Sequence, residues 1–100
     1  MKRAIHFARH GHEFGARDEF DYERMADEFL YGPMVPPTAE CFRLMGRGDR
    51  VRFSPASLHF GVVCMAPEYI RTFYIPNMAW IISHGGTAGF WAYECGRVDL

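Results

Sequence analysis

The spacing of the apolar residues changes at a proline-rich segment, and this change limits the folds open to the chain. Before Pro36 and Pro37, apolar side chains recur every three or four residues, as on one face of a helix. After Glu40, apolar and polar residues alternate, as along a strand with one buried face. Consecutive prolines exclude a helix between the two halves. The sequence therefore predicts a helical half, residues 1–35, followed by a sheet, residues 40–76.

Two helices are predicted in the first half. The first begins near the N-terminus and ends or kinks at Gly11 or Gly15. Asp18 is a favourable N-cap for the second helix, because its side chain can accept a backbone N–H of the first turn. Gly32 and Pro33 provide the end of the second helix. The apolar residues that should face the core from this helix are Tyr22, Met25, Ala26, Phe29 and Leu30.

Four strands joined by short turns are predicted in the second half. The strand residues fall at 41–44, 51–53, 58–64 and 69–75. The turns, at 46–49, 54–57 and 66–68, are too short for the crossovers of a parallel sheet, so the sheet is an antiparallel meander. The predicted fold class is α+β, with two N-terminal helices packed on a four-stranded antiparallel sheet.

The whole chain should form one domain. It has 100 residues, of which 49% are apolar and 16% aromatic, enough to bury one core. Residues 77–100 form an aromatic-rich C-terminal tail, with Gly85 and Gly86 as a flexible break. Because its large aromatic side chains must be covered, we expect the tail to pack back on the domain or to meet a partner.

The composition argues against a membrane protein and against a secreted one. The longest apolar runs, 62–66 and 78–82, are five residues long, whereas a bilayer span needs about 20. Charged residues and histidine interrupt the apolar residues near the N-terminus, which disfavours a secretory signal. Cys41, Cys64 and Cys95 are far apart, which favours buried thiols in a reducing compartment over disulfides or zinc. We therefore expect a cytoplasmic protein.

The histidines near the N-terminus admit two kinds of chemistry. A His-Glu-x-x-His metalloprotease motif begins at His12 but fails, because Ala16 occupies the place of the second histidine. A looser metal site built from His6, His10, His12 or Glu13 is one alternative. Metal-free cleavage of a phosphodiester is the other, and we favour it without assigning a metal or another cofactor.

Metal-free cleavage of RNA needs a group that takes the proton of the ribose 2′-hydroxyl, together with cations and hydroxyls that hold the phosphate oxygens. The residues that can fill these roles are His10 or His6, then Arg50, Arg52 or Arg71, and finally Thr72. Thr72 and Tyr74 are two residues apart on the predicted fourth strand. They therefore project from one face and can contact a phosphate or a base together.

Four segments accompany this order of helices and strands: HFARHGHEFGA, YERMADEFL, GDRVRFSPASLHFGVV and YIRTFYIP. Together they resemble the C-terminal RNase toxin domains of bacterial polymorphic toxins, from the colicin D, EndoU, barnase and RelE-like superfamily. The resemblance covers roughly residues 4–76. Two positions depart from the pattern: Ile75 stands where relatives commonly have a lysine, and Ala66-Pro67-Glu68 replaces an Asp-Gly turn.

The resemblance implies a metal-independent ribonuclease that cleaves RNA, often tRNA. It implies that His10 is the leading proton-transfer residue and His6 the second, with Arg71, Thr72 and Tyr74 as catalytic contacts to the phosphate or substrate. Arg50 and Arg52 are expected to bind the substrate. The expected partners are RNA and an immunity or antitoxin protein.

Two other functions stay open at the level of sequence. The net charge of −1 and the aromatic tail favour a non-enzymatic interaction module, in which a second copy could pair through the tail. A degenerate relative of the toxin domains would behave in the same way. The third function is that of a metal-binding protein that uses His6, His10, His12 or Glu13.

Overall fold

The computed structural model describes residues 2–44 and 48–97, and within them the predicted helices and strands occur in the predicted order. The elements are α1 (Arg3–His10), a 3₁₀ helix (Gly11–Phe14), α2 (Glu19–Tyr31), β1 (Ala39–Phe42), β2 (Arg50–Phe53), β3 (Phe60–Met65), β4 (Glu68–Tyr74), α3 (Met78–Ser83) and α4 (Gly86–Cys95). The predicted turn at 46–49 lies partly outside the described residues. None of the helices described is long and apolar enough to cross a bilayer.

The four strands form one antiparallel sheet in the order β1-β2-β3-β4, which confirms the predicted meander. β4 is an edge strand, and its Tyr74 pairs with Phe60 at the start of β3. The end of β4 and the connection between β2 and β3, residues 54–59, therefore lie at the same end of the sheet. Tyr74 lies at this end, and His10 and Glu13 contact the residues there.

The helix α2 covers one face of the sheet. Its N-cap is Asp18, as predicted, whose side chain accepts a 2.8 Å hydrogen bond from the backbone N–H of Asp21. The hydroxyl of Tyr22 donates a hydrogen bond to the carbonyl oxygen of Phe73. The core on this face consists of Tyr22, Ala26, Leu30, Val63, Ile70 and Phe73. This packing confirms the apolar face that the helical spacing predicts.

The opposite face of the sheet is covered by the tail. Residues 78–95 form α3 and α4, and at the junction between the helices Gly85 and the first residue of α4, Gly86, have φ angles of 93° and 83°. Glycine adopts such positive angles without steric cost, so this pair makes a sharp turn. Ile81 and Phe90 are buried against Val51, Phe53, Phe60 and Val62. The sheet thus lies between two helical layers.

Cys41 and Cys95 form a disulfide, so the expectation of free thiols is wrong for this pair. The two residues are 54 positions apart in the sequence, but β1 and the end of α4 bring their Cα atoms to 6.1 Å, a distance that a disulfide spans. Only the packing of α4 across the sheet creates this proximity, and cysteine spacing carries no sign of it. Cys64 is buried and free. With this disulfide, the cysteines no longer support the expectation of a reducing compartment.

Reduction of the Cys41–Cys95 disulfide should lower the free energy of unfolding by about 2–4 kcal/mol, because the bond closes a long loop in the unfolded chain. Urea unfolding with and without dithiothreitol measures the effect. A variant carrying both Cys41→Ser and Cys95→Ser should unfold at the same urea concentration in both conditions. Identical midpoints for the wild-type protein with and without the reductant would show that the bond adds nothing.

Candidate functional site

His10 ends α1 and lies against the last residues of β4. Its Nδ1 is 2.8 Å from Oε2 of Glu13, which follows in the 3₁₀ helix. The other carboxylate oxygen of Glu13 accepts a 2.7 Å hydrogen bond from the backbone N–H of Ile75. The ring centroids of His10 and Tyr74 are 5.4 Å apart. One carboxylate thus fixes the imidazole and ties the first helix to the end of the edge strand. We term His10, Glu13 and Tyr74 the His10 site.

The contact with Glu13 orients the imidazole of His10 and selects its tautomer. An ionised carboxylate can only accept hydrogen bonds, so Nδ1 of His10 carries the proton in this contact. In the neutral ring, Nε2 is then the free acceptor. The side chains of His10 and Glu13 are 18% and 21% exposed, so the pair is accessible from one side. Such a pair is suited to general acid–base catalysis.

His6 lies one helical turn before His10 on α1, with the two ring centroids 6.3 Å apart. Its Nδ1 is buried and has no hydrogen-bond partner among the residues described. Burial lowers the pKa of His6, and the charge of the neighbouring His10 lowers it further. His6 is therefore neutral at pH 7 and lacks the carboxylate partner that His10 has, which makes it the weaker candidate for proton transfer.

Thr72 and Tyr74 share one face of β4. Thr72 pairs with Val62 and Tyr74 with Phe60, and both partners belong to the core beneath α3 and α4. Residues paired across antiparallel strands project to the same face, so both β4 side chains point toward that layer. Burial raises the pKa of Tyr74 to about 12, and the nearby carboxylate of Glu94 adds to the rise. The phenol is therefore protonated at neutral pH and can donate a hydrogen bond.

Arg71 of β4 is bound to a buried carboxylate. Its Nε and Nη2 lie 2.8 and 3.1 Å from the two oxygens of Asp49, which is fully buried. Asp49 also lies 3.4 Å from Arg43, and Arg43 lies 3.5 Å from Glu94 of α4. Arg97 is 3.0 Å from the other oxygen of Glu94. These five residues form a charge chain of alternating sign that links β4 to α4.

Arg50 and Arg52 are both bound to Glu40, at 3.1 and 2.6 Å. Arg52 also donates hydrogen bonds of 3.1 and 2.8 Å to the carbonyl oxygens of Phe29 and Gly32, at the C-terminal end of α2. The two guanidinium groups therefore have a neutralising carboxylate and join β1, β2 and α2. Their strand is separated from β4 by β3.

Sequence reasoning missed two residues, Glu13 of the His10 site and Arg97 near it. From the sequence, Glu13 is considered only as a metal ligand. Its spacing of three residues from His10 nevertheless places both side chains on one side of a helix end. Arg97 interacts electrostatically with Tyr74 and is half exposed, so it brings a cation to this region. Its place depends on α4, which sequence periodicity does not show.

Among the residues that the structure describes, no group of three or more His, Cys, Asp or Glu side chains could hold a metal ion.

Comparison with known proteins assigns the chain to no family. No protein-family model matches the chain, and no curated protein sequence matches it. The resemblance to RNase toxin domains therefore stays a prediction, and the function has to be argued from the geometry of the His10 site.

Proposed function

We propose that this protein is a metal-independent ribonuclease of the bacterial toxin type, in which His10 takes the proton from a ribose 2′-hydroxyl. The observation that carries the proposal is the His10–Glu13 contact of 2.8 Å, held at the end of β4 by the hydrogen bond from Ile75. An imidazole oriented by a carboxylate is the group that this proton transfer needs. RNA is the substrate because DNA lacks the 2′-hydroxyl.

The reaction has two linked proton transfers. Nε2 of His10 accepts the proton of the 2′-hydroxyl as its oxygen attacks the phosphorus atom. The bond from phosphorus to the 5′-oxygen breaks, and that oxygen takes a proton from solvent water, so the products are a 2′,3′-cyclic phosphate and a 5′-hydroxyl. Glu13 stabilises the imidazolium that forms, because its carboxylate already accepts the Nδ1 proton.

Thr72, Tyr74 and Arg97 are assigned to the phosphate in this proposal. The hydroxyl of Thr72 has no hydrogen-bond partner within the described residues, and it shares a face with Tyr74. Arg97 is the more exposed cation beside Tyr74, with 52% of its side chain exposed, whereas 30% of Arg71 is exposed. Arg71 contributes a charge already shared with Asp49. Hydroxyl and guanidinium donors stabilise the extra negative charge of the phosphorane.

The resemblance also bears on partners. A ribonuclease of this type would damage the RNA of the cell that makes it, so the proposal includes an immunity or antitoxin protein that covers the His10 site. The resemblance of the four sequence segments to RNase toxin domains supports this part of the proposal.

Incubation with bulk tRNA in excess EDTA tests the proposed activity. We expect fragmentation of the tRNA and no cleavage of single-stranded DNA under the same conditions, since only RNA carries the nucleophile. A preparation of the His10→Ala variant, purified in parallel, detects any contaminating ribonuclease. Intact tRNA at high concentrations of folded protein would contradict the proposal.

A second function is favoured by the aromatic surface of the tail. Trp80 and Tyr93 are 48% and 42% exposed, and both rings contact His84, with centroid distances of 4.2 and 4.3 Å. Met78 and Ile82 are also exposed on α3. Exposed apolar side chains in one region are typical of an interaction surface. The alternative proposal is an interaction module that pairs with a second copy through this surface.

Pairing of this kind would appear as a dimer in analytical ultracentrifugation, with Trp80→Ser shifting the protein to a monomer. Tyr31→Ser on α2, which also removes an exposed aromatic ring, should leave the association unchanged. A wild-type protein that stays monomeric at high concentration would rule this pairing out.

A further inference from the structure

A pocket of about 500 Å³ opens at the same end of the sheet, on the face covered by α2. It is lined by Phe14, Phe29, Phe73 and His59, together with residues of the 33–38 connector and the 54–59 turn. Its volume lies within the range of pockets that bind small molecules. Phe14 directly follows Glu13, and Phe73 directly precedes Tyr74. The pocket therefore adjoins the His10 site across the edge of the sheet.

Flat aromatic surfaces dominate the lining. The rings of Phe14 and Phe73 stack nearly parallel, with centroids 4.1 Å apart and an angle of 12° between their planes. His59 stands edge-on to Phe14, Phe29 and Phe73, with centroid distances of 4.9, 5.7 and 5.9 Å. Phe73 is fully buried, so the rings that a ligand can reach are those of Phe14, Phe29 and His59. Such rings attract another planar aromatic ring more than a saturated one.

His59 supplies a polar group within this aromatic lining. Its ring nitrogens have no hydrogen-bond partner in the part of the chain that the structure describes. Burial lowers the pKa of His59, so the ring is neutral at pH 7. A neutral imidazole has one nitrogen that donates and one that accepts. A ligand that carries a donor and an acceptor can form a hydrogen bond with His59 in either tautomer.

The lining of the pocket offers no cation to an anionic occupant. Glu28 is the charged side chain that lines it, and no lysine or arginine is among the lining residues described. Because Glu28 is paired with Arg24 at 2.7 Å, a phosphate or carboxylate placed here would meet no cation of the lining that could bind it. The occupant should therefore be an uncharged ring, and any phosphate attached to it should lie outside the pocket.

We propose that this pocket binds an uncharged, planar heteroaromatic ring through stacking and edge contacts with Phe14 and Phe29 and a hydrogen bond with His59. Two sources share this chemistry: a free heterocyclic metabolite and an unpaired base of an RNA strand. The inference stands on the pocket itself and does not depend on cleavage at His10.

Titration followed by ¹H–¹⁵N NMR spectra tests the proposal with two probes. The first is benzimidazole, which is planar and carries one donor and one acceptor. The second is a short single-stranded RNA with 2′-O-methyl sugars, which cannot be cleaved through the 2′-oxygen. We expect benzimidazole to shift the amide signals around Phe14, His59 and Phe73, and cyclohexanol, a saturated ring, to shift them far less.

Two variants locate the binding. His59→Phe keeps a flat ring but removes both nitrogens, and the loss of one hydrogen bond should weaken benzimidazole binding about tenfold. Ala56→Trp places a large ring at the exposed turn that lines the pocket and should abolish binding. Ala92→Trp, on the exposed side of α4, is the matched control and should bind as the wild-type protein does.

The outcomes separate the two sources. Shifts from both probes that disappear in Ala56→Trp identify a base of RNA as the occupant, and shifts from benzimidazole alone identify a free heterocycle. Absence of pocket shifts with both probes overturns the proposal, as does undiminished binding in Ala56→Trp or equal binding of cyclohexanol. The His10→Ala variant should still bind benzimidazole, so a failure of the cleavage proposal leaves this result intact.

Discussion

Replacing His10 by alanine should slow RNA cleavage by about 100- to 10,000-fold, which is what a single positioned acid–base group contributes. The imidazole is oriented by Glu13 at 2.8 Å and lies beside Tyr74, so the substitution removes the proton acceptor without opening the core. The rate of cleavage of a labelled RNA oligonucleotide in EDTA measures the loss. Circular dichroism should show an unchanged fold.

His12→Ala is the matched control for this experiment. His12 is an exposed histidine two residues after His10, in the 3₁₀ helix, and its loss should leave the rate of cleavage unchanged. Glu13→Gln should lower the rate while keeping the shape of the side chain, because an amide does not stabilise the imidazolium as a carboxylate does. If His10→Ala cleaves as fast as the wild-type protein, His10 is not the base, and the same rate in a His6→Ala, His10→Ala double variant would assign the cleavage to a contaminating ribonuclease.

The largest effect on stability is expected at the charge chain. Asp49→Asn should lower the free energy of unfolding by about 3–5 kcal/mol, the cost of removing one partner from a buried ion pair. Asp49 is fully buried and accepts from Arg71 at 2.8 and 3.1 Å, with Arg43 at 3.4 Å. Without its carboxylate, the buried guanidinium of Arg43 loses its partner on the sheet side. Urea unfolding at equilibrium measures the difference.

Asp27→Asn is the control for Asp49→Asn. Asp27 lies on the exposed side of α2, and surface substitutions of this kind usually change the free energy of unfolding by less than about 0.5 kcal/mol. An Asp49→Asn variant as stable as the wild-type protein would mean that the charge chain does not hold β4 and α4 together.

The parts of the fold that depend on residues close together in the sequence could be predicted from it. The N-cap at Asp18, the buried face that Tyr22 and Leu30 define, and the antiparallel order of the strands follow from periodicity and from short turns. The tail could not be predicted in the same way, since α3 is only six residues long and α4 has apolar residues on every side. One sign was present: the unbroken apolar run at 62–66, most of which forms β3, indicates a strand buried on both faces.

The candidate site was predicted in part. Periodicity and resemblance select His10, Thr72 and Tyr74, and the structure brings His10 and Tyr74 together. The sequence does not show that the arginines have partners, because their carboxylates are distant along the chain. Arg71 is 22 residues from Asp49, and Arg52 is 12 residues from Glu40. Ion pairs between strands depend on register, which the spacing of charges does not reveal.

The pocket that His59 lines could not be predicted from the sequence either. Its lining comes from four separate segments of the chain, and His59 alone in the sequence has no neighbour that suggests a ligand. Only the packing of the 3₁₀ helix and α2 against β4 gathers the three phenylalanine rings around it.

The chemistry of the cut ends tests the central claim most directly. The substrate is an oligonucleotide of DNA with one ribonucleotide, incubated with the wild-type protein in EDTA and analysed by mass spectrometry. Attack by a 2′-oxygen activated by His10 predicts a single cut at the ribonucleotide, a 2′,3′-cyclic phosphate on one product and a 5′-hydroxyl on the other. Cleavage of the same strand with a 2′-O-methyl group at that position, or products ending in a 5′-phosphate, would contradict it.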